Sequence, residues 1–423
     1  MKSVAIIGSG IAGLGCARLL HERLEIRLFE KERRVGGHSN TLVVDEEGTA
    51  LPIDSGFMVY NEVTYPLLTR LFAELDVETE PSDMSFSVQH RPSGLEFCGS
   101  SMSQLFAQRR NLLSPRHYRM LASIGRFNRE AVAALDDPQY RTITLGDYVS
   151  ARGYGSDFLD RYLIPMSAAV WSTPFRQIMD FPALTLIRFF HNHGFLGMNT
   201  QHPWRTVRGG SRAYVEKLIQ PFRERIVTGD PVVSVRRDAH GAHLRMASGE
   251  TALFDQVVFA AHADESLAIL ADPTPDELRL LSPFRYQTNV AQLHTDTSVM
   301  PRTRRTWASW NYRITEVAGQ AHGSTVYWMN SLQQVSKNRN YFISIDDAGE
   351  IDPASVLQRV VYQHPLFTSQ AVAAQQQLPS LNDGETSFFC GSYFGYGFHE
   401  DALRSGTEAA AALLARNREG AAA

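Results

Sequence analysis

The sequence predicts an α/β protein, a Rossmann-like nucleotide-binding domain combined with a discontinuous α+β domain. Three observations predict it. Val4-Ala5-Ile6-Ile7 reads as a buried strand and runs straight into Gly8, Gly10 and Gly13 in G-x-G-x-x-G spacing. A helical apolar face at Ala17, Leu19 and Leu20 follows, then a second strand at Ile26, Leu28 and Phe29 that ends at Glu30. Buried-strand runs return far along the chain, at Phe254 to Ala261 and at Phe388-Phe389-Cys390, so the first domain is visited three times.

Each residue of the opening motif has a physical task. Gly8 permits a tight turn, Gly10 lets the backbone approach a pyrophosphate with no Cβ in the way, and Gly13 allows close helix–strand packing. The helix N-terminus beside Ala12 supplies free N–H groups and positive potential, and Glu30 is placed to accept ribose hydroxyls. The motif therefore predicts a bound dinucleotide.

A chain of 423 residues exceeds one small core and is most simply two domains. The formal charge of −4 is small, and no basic block has the aromatic interleaving of a nucleic-acid groove. Arg33-Arg34 and Arg302 to Arg305 read as solvated faces. Cys16, Cys98 and Cys390 have no metal-ligand spacing and support neither a disulfide scaffold nor a zinc site. The N-terminus lacks the form of a secretory signal and no run reaches membrane-spanning length, so the expected location is the cytoplasm, at most at the periphery of the inner membrane.

The expected nucleotide-binding domain comprises residues 1–80, 205–265 and 385–416. The expected substrate domain comprises 81–204 and 266–384, and 417–423 form an alanine-rich flexible tail. Helices are expected at Tyr65 to Leu75, Tyr118 to Leu135, Leu145 to Arg152, Ser156 to Tyr162 and Pro165 to Trp171. The apolar run Phe181 to Phe190 reads as a buried helix, a pocket wall or a membrane-contacting face. Strands at Asn289 to Leu293, Thr306 to Ser309, Ser324 to Met329 and Tyr341 to Ile345 suggest an antiparallel substrate-domain sheet.

The glycine motif with Glu30, the following Gly36-Gly37, the Gly209-Gly210 turn and the segment Gly391 to Gly406 together resemble the flavin-containing amine oxidase superfamily. That superfamily includes monoamine and polyamine oxidases, protoporphyrinogen oxidase and the carotenoid desaturases. Ile53 to Asn61, Ala169 to Pro174 and Tyr396 to Asp401 look most like the bacterial NAD/FAD-binding flavoproteins encoded beside cyclopropane fatty-acid synthase-like methyltransferases. The resemblance implies an amine oxidase/protoporphyrinogen oxidase-like fold and a noncovalent FAD. Gly8, Gly10, Ala12 and Gly13 would meet the pyrophosphate, and Glu30 the adenosine ribose. Lys31, Arg34, Gly36, Gly37 and His38 would line the cofactor's path, with a solvated surface role open for Arg34. Gly56, Phe57, Met58 and Val59 would run near the isoalloxazine, and Val232 or Val233 would present backbone groups to adenine.

At the other end, Gly391 and Ser392 would approach phosphate or ribitol, and Phe398, His399 and Ala402 the flavin edge where reduction gathers negative charge. Glu400 or Asp401 is a candidate helix cap. His399, Tyr396 and Tyr312 are the expected catalytic residues, with a packed structural role open for His399. Trp171, Trp310 and Trp328 are further candidate pocket walls, and His191, His193 and His202 are candidates only if turned inward. Lys337 lies in a polar stretch and reads as surface loop rather than as the lysine many relatives hold by flavin N5. The expected reaction is oxidation or desaturation of a hydrophobic, lipid or acyl-chain-like substrate by hydride transfer to flavin. Oxidation of an amine or cyclic small molecule, a flavin-dependent isomerisation and a nonenzymatic flavin- or lipid-binding role are the alternatives.

Overall fold

The computed structural model describes residues 1–141, 143–175, 177–197 and 200–422. Ser3–Ile7 (β1) runs into the glycine turn, Ile11–Leu20 forms a helix (α1), and Glu25–Glu30 (β2) returns parallel to β1. Ile226–Thr228 (β3), Gln256–Phe259 (β4) and Ser387–Phe389 (β5) join the same parallel sheet, in the order β3-β2-β1-β4-β5. Val4, Ala5, Ile6, Leu28, Val257 and Val258 are fully buried, because helices or strands cover both faces of a parallel sheet. This is a Rossmann-like domain fused to a discontinuous α+β domain.

The last helix, His399–Ala422 (α2), packs along α1. Small residues permit the approach: a Cβ at Gly15 would run into Leu403, and one at Gly406 into the carbonyl of Ala12. The helix continues past Arg416, where the sequence predicts a flexible tail. Asn417 Nδ2 donates to Gln256 Oε1 at 2.9 Å, which ties this stretch to the start of β4.

The second region is built on a seven-stranded sheet. Its order is Val356–Leu366, Arg285–His294, Phe342–Ile345, Gln320–Trp328, Trp310–Val317, Phe86–His90 and Leu95–Cys98. All pairings are antiparallel except that of Phe86–His90 with Trp310–Val317. Thr306 to Ser309 is not a strand: Arg304–Thr306 is a turn of 3-10 helix and the strand starts at Trp310. The edge strand Val356–Leu366 and the helix Ser369–Gln375 have no counterpart in the sequence reading. Phe181 to Phe190 resolves largely into the helix Ala183–Asn192, whose Leu186, Ile187 and Phe190 are fully buried.

The two regions are joined by a buried carboxylate. Asp54, 1% exposed, accepts from Thr41 Oγ1, from Ser211 N and Oγ, and from Gln333 Nε2. Burial raises its pKa, and the four donors partly offset that rise. Asp54→Ala would strand the Ser211 N–H and the Gln333 amide inside the protein. The expected loss is about 3–5 kcal/mol, read as a lower denaturation midpoint, since an orphaned buried donor keeps its full desolvation cost. An unchanged midpoint would remove the network from the account of stability.

Candidate functional site

The carboxyl ends of the Rossmann strands open onto one cavity of about 910 Å³. Open α/β sheets bind ligands there because the helices that follow the strands begin there. Gly8 to Ala12 bring the N-terminus of α1 to the cavity, and Phe398, His399 and Ala402 bring that of α2. Glu30 to Glu32 at the end of β2, Ala260 to His262 after β4 and Gly391 to Tyr393 after β5 complete this end.

The glycine geometry separates two roles. Gly8 has φ +110°, where an L side chain is strained. A Cβ on Gly13 would overlap the Gly8 carbonyl, so Gly13 sets the packing of α1 on the sheet and does not line the cavity. Gly10 is different: its φ is −65°, and a Cβ there would meet no heavy atom within 4 Å. That open space is the cavity, so hydrogen at this position leaves room for a ligand against the first turn of α1.

Glu30 is 8% exposed and accepts from Ser9 N at 2.9 Å, from Ser9 Oγ, and from Glu32 N. Lys31 Nζ donates to Glu265 Oε1; burial pulls the Lys31 pKa down, but the Glu265 partner outweighs it and the net shift is upward. Arg34 lines the cavity and donates to Gly37 O at 2.7 Å.

Three histidines from separate segments meet further in. His38 stacks on Tyr362 with ring centroids 4.9 Å apart, and His364 and His262 lie 5.3 and 6.5 Å from it. Burial lowers all three, with the neighbouring histidines adding to the shift for His38 and His364, and His364 falls to about 4. They are neutral at pH 7. His399 stacks on Phe57 at 3.7 Å, and its Nε2 lies 2.9 Å from Ser39 Oγ and 3.2 Å from Tyr214 OH. Burial pushes its pKa down to about 3, so it acts as a neutral imidazole that orients two hydroxyls.

The opposite end of the cavity is walled by Tyr65, Met84, Trp171, Phe189, Trp204, Trp310, Tyr327 and Phe398. Trp171 is the last residue of the helix Ile164–Trp171, which is capped by Ser172 in the left-handed region with φ 50°. The Trp171 indole donates to Tyr396 O at 3.0 Å, which fixes its plane, and Phe189 stacks on Phe398 at 5.0 Å. His38 Nε2, Trp204 Nε1 and Trp310 Nε1 are buried without a partner among the described residues, although all three residues line the cavity. An extended ligand bearing phosphates, hydroxyls and ring carbonyls fits such a lining, with two helix N-termini for its charge.

The family model for flavin containing amine oxidoreductases matches residues 11–364. The chain belongs to that family. This flavoprotein is an FAD-dependent oxidoreductase, and its FAD is noncovalent; Cys16, Cys98 and Cys390 are buried and outside the cavity lining. Among solved structures it is similar to cyclohexylamine oxidase from Brevibacterium oxydans IH-35A, at 17% identity and TM-score 0.71, covering 99% of each chain. Wild-type putrescine oxidase bound to putrescine matches at 14% identity and TM-score 0.67, over 98% of this chain and 99% of that one. A CLA-producing fatty acid isomerase from P. acnes matches at 12% identity and TM-score 0.68, over 96% and 97%. At these identities the likeness is one of fold. No curated protein matches the sequence.

Most of the residues expected at the flavoprotein's cofactor line the cavity, including Gly56 to Val59, Val232, Gly391 and Ser392. Five expected site residues do not. Gly13 packs α1 on the sheet as described. Gly36 sits one layer behind, its N–H bonded to Ser9 O at 3.1 Å. Val233 is 37% exposed, at a β-bulge where the register shifts between Val232 and Ser234 and leaves it without a partner. Tyr312 shares a strand with Trp310 but lies one pleat further on, packed with Met120, Ala168 and Ala169 beyond the cavity. Tyr396 gives its carbonyl to Trp171 and packs its ring with the helical core, leaving the cavity side to Gly397 and Phe398.

Trp328 packs against Trp307, and His191 is exposed. His193 and His202 bond the carbonyls of Phe189 and Asn192, and none of these four residues lines the cavity. Asp401 accepts from Tyr396 N and Phe398 N, with burial raising its pKa to about 6. Glu400 instead caps the helix Pro66–Glu74 through Leu67 N and Leu68 N. The residues missed by the sequence reading are mainly His262 and the stretch Arg359 to Pro365 with its His364; that stretch does not alternate, and its strand signal is no more than Val360-Val361-Tyr362.

Proposed function

We propose that this flavoprotein oxidises a compact, apolar amine or cyclic small molecule, bound against the aromatic wall of the cavity. The observation that carries the reading is the composition of that wall. Among the described residues the lining carboxylates, Glu30, Glu32 and Glu265, all lie at the nucleotide end, and Lys31 is the only lysine lining the cavity. A cavity of this size sits near the top of the ~300–1,000 Å³ range of ligand sites, so an extended dinucleotide leaves only a compact remainder.

FAD, when bound, accepts the hydride. The chain's own contribution is to exclude water and orient the substrate. Trp171, Phe189 and Phe398 hold an apolar body, and the aromatic faces suit an amine that has lost its proton. Trp204 and Trp310 add aromatic surface to the same wall, their indole nitrogens being buried. His399 stays neutral and holds Ser39 and Tyr214 in place beside Phe57.

The likeness to cyclohexylamine and putrescine oxidases supports the amine reading. The lipid or acyl-chain substrate expected from the sequence is the second reading. The same apolar wall, the likeness to a fatty acid isomerase, and the closer resemblance to flavoproteins encoded beside cyclopropane fatty-acid synthase-like methyltransferases favour it. We place the chain in the cytoplasm or at the periphery of the inner membrane in either case.

Anaerobic mixing of holoprotein with candidate substrates, followed at the oxidised-flavin absorption, separates the readings. Cyclohexylamine and similar apolar monoamines should bleach the flavin. Putrescine should be slower by roughly 100-fold, since its second ammonium would be buried with no carboxylate opposite, at a cost of about 3 kcal/mol. Bleaching by fatty acids or lipid extract alone would overturn the amine reading in favour of the second.

A further inference from the structure

We propose that the surface formed by residues 102–119, with Arg302 and Arg305 beside it, docks on the face of an anionic phospholipid bilayer. Between Glu96 and Glu130 the chain carries no Asp or Glu, and it carries six arginines, on a protein whose formal charge is −4. Arg116 pairs with Asp157 and Arg126 with Glu130. Arg109, Arg110 and Arg119 are exposed and enter no ion pair among the described residues. Arg305 Nη1 donates to Ser103 Oγ at 3.3 Å, which brings the basic run Arg302 to Arg305 against the same face.

Apolar side chains stand out of this basic field. Leu113 is 88% exposed, Met102 61%, Tyr118 48% and Leu112 44%. Their presentation is rigid. Arg109–Leu113 is a single 3-10 turn, and Ser114 caps the helix Pro115–Ala134 by accepting from His117 N at 3.3 Å. Buried Phe106 and His117 pack edge-to-face beneath, with ring centroids 5.2 Å apart. Leu113 is therefore held at the tip with arginines on both sides.

Charge and shape together select the occupant. Unpaired arginines attract an anionic surface, and single protruding aliphatic side chains can enter the boundary between headgroups and acyl chains without a matching cleft. A folded acidic protein would need a shaped depression for Leu113. Among the described residues no helix is long and apolar enough to cross a membrane, so the contact is peripheral.

Flotation of holoprotein with phosphatidylcholine vesicles, with and without phosphatidylglycerol, tests this. Binding should require phosphatidylglycerol and fall as salt is raised. The Arg109→Ala/Arg110→Ala protein should lose about 25-fold in partitioning, roughly fivefold for each arginine. Leu113→Ser should lose roughly tenfold while keeping its heparin retention, flavin content and melting temperature. Leu113→Trp should show a blue-shifted emission with anionic vesicles only. Absence of binding to phosphatidylglycerol vesicles would overturn the proposal. Full binding by Leu113→Ser would also overturn it, since the surface would then hold anions by charge alone and nothing in it would select a bilayer.

Discussion

Gly10→Val is expected to fold and to purify without flavin. The substitution separates the ligand from the scaffold, because φ at Gly10 is −65°, a value valine adopts without strain, and the new Cβ meets no protein atom within 4 Å. The isopropyl group would instead stand in the cavity, over the first N–H groups of α1. Those N–H groups and the helix N-terminus are what the phosphates need. Losing their close approach costs about 3 kcal/mol, on the order of 100-fold in Kd. The ratio of flavin to protein absorbance should fall below detection at ordinary loading, and reconstitution should need far more FAD. Gly13→Val is the control with the opposite signature, since its Cβ would overlap Gly8 O and the fold itself should weaken. A Gly10→Val protein that keeps its full flavin would displace the cofactor from the mouth of α1.

The flavin-free protein should lose about 4 kcal/mol of stability between pH 7 and pH 5. His399 and His364 have folded pKa values of about 3 and about 4, against 6.5 when free, with burial the leading cause for both. Over this range the unfolded chain takes up a proton at each and the folded chain does not. Stability is therefore complete above the unfolded value of 6.5 and is lost as pH falls toward the folded values. About 1.5 pH units of such a gap at 1.36 kcal/mol per unit gives about 2 kcal/mol for each histidine. His38 and His262 are shifted the same way and add to the loss. Against a typical total of roughly 5–15 kcal/mol this is large. Urea midpoints of apoprotein at the two pH values measure it, and His399→Phe should flatten the profile. Equal midpoints at pH 7 and pH 5 would refute the assignment of neutral, half-buried histidines.

The parts of this fold legible in the chain are those whose physics is local. The turn from β1 into α1 needs glycine at positions 8, 10 and 13 within a few residues of two strand-like runs, so it could be placed without any distant contact. Glu30 follows from the same unit, and the return of buried runs at β4 and β5 exposed the discontinuous layout. The Val356–Leu366 strand could not be read this way. It is an edge strand, largely half-exposed, with Pro365 near its end, and only its pairing with Arg285–His294 makes it a strand. With it went Tyr362 and His364.

The histidine cluster is the clearest case of what folding alone decides. His38, His262 and His364 come from three segments whose spacing carries no motif; His38 was expected at the cofactor through the family resemblance, whereas His262 and His364 taken singly look like ordinary surface or core residues. Parallel pairing of β1 with β4, and the crossing of the edge strand over the cavity, bring them within a ring's width of one another. The same holds for Trp310 and Tyr312, chemically alike and two residues apart. One reaches the cavity and the other fills the core, because a strand advances about 6.6 Å over two residues and the cavity ends between them. Local patterning thus specified a dinucleotide-binding turn and its carboxylate. Long-range strand pairing chose which aromatic and imidazole side chains face the reacting end, since that choice depends on where distant segments meet.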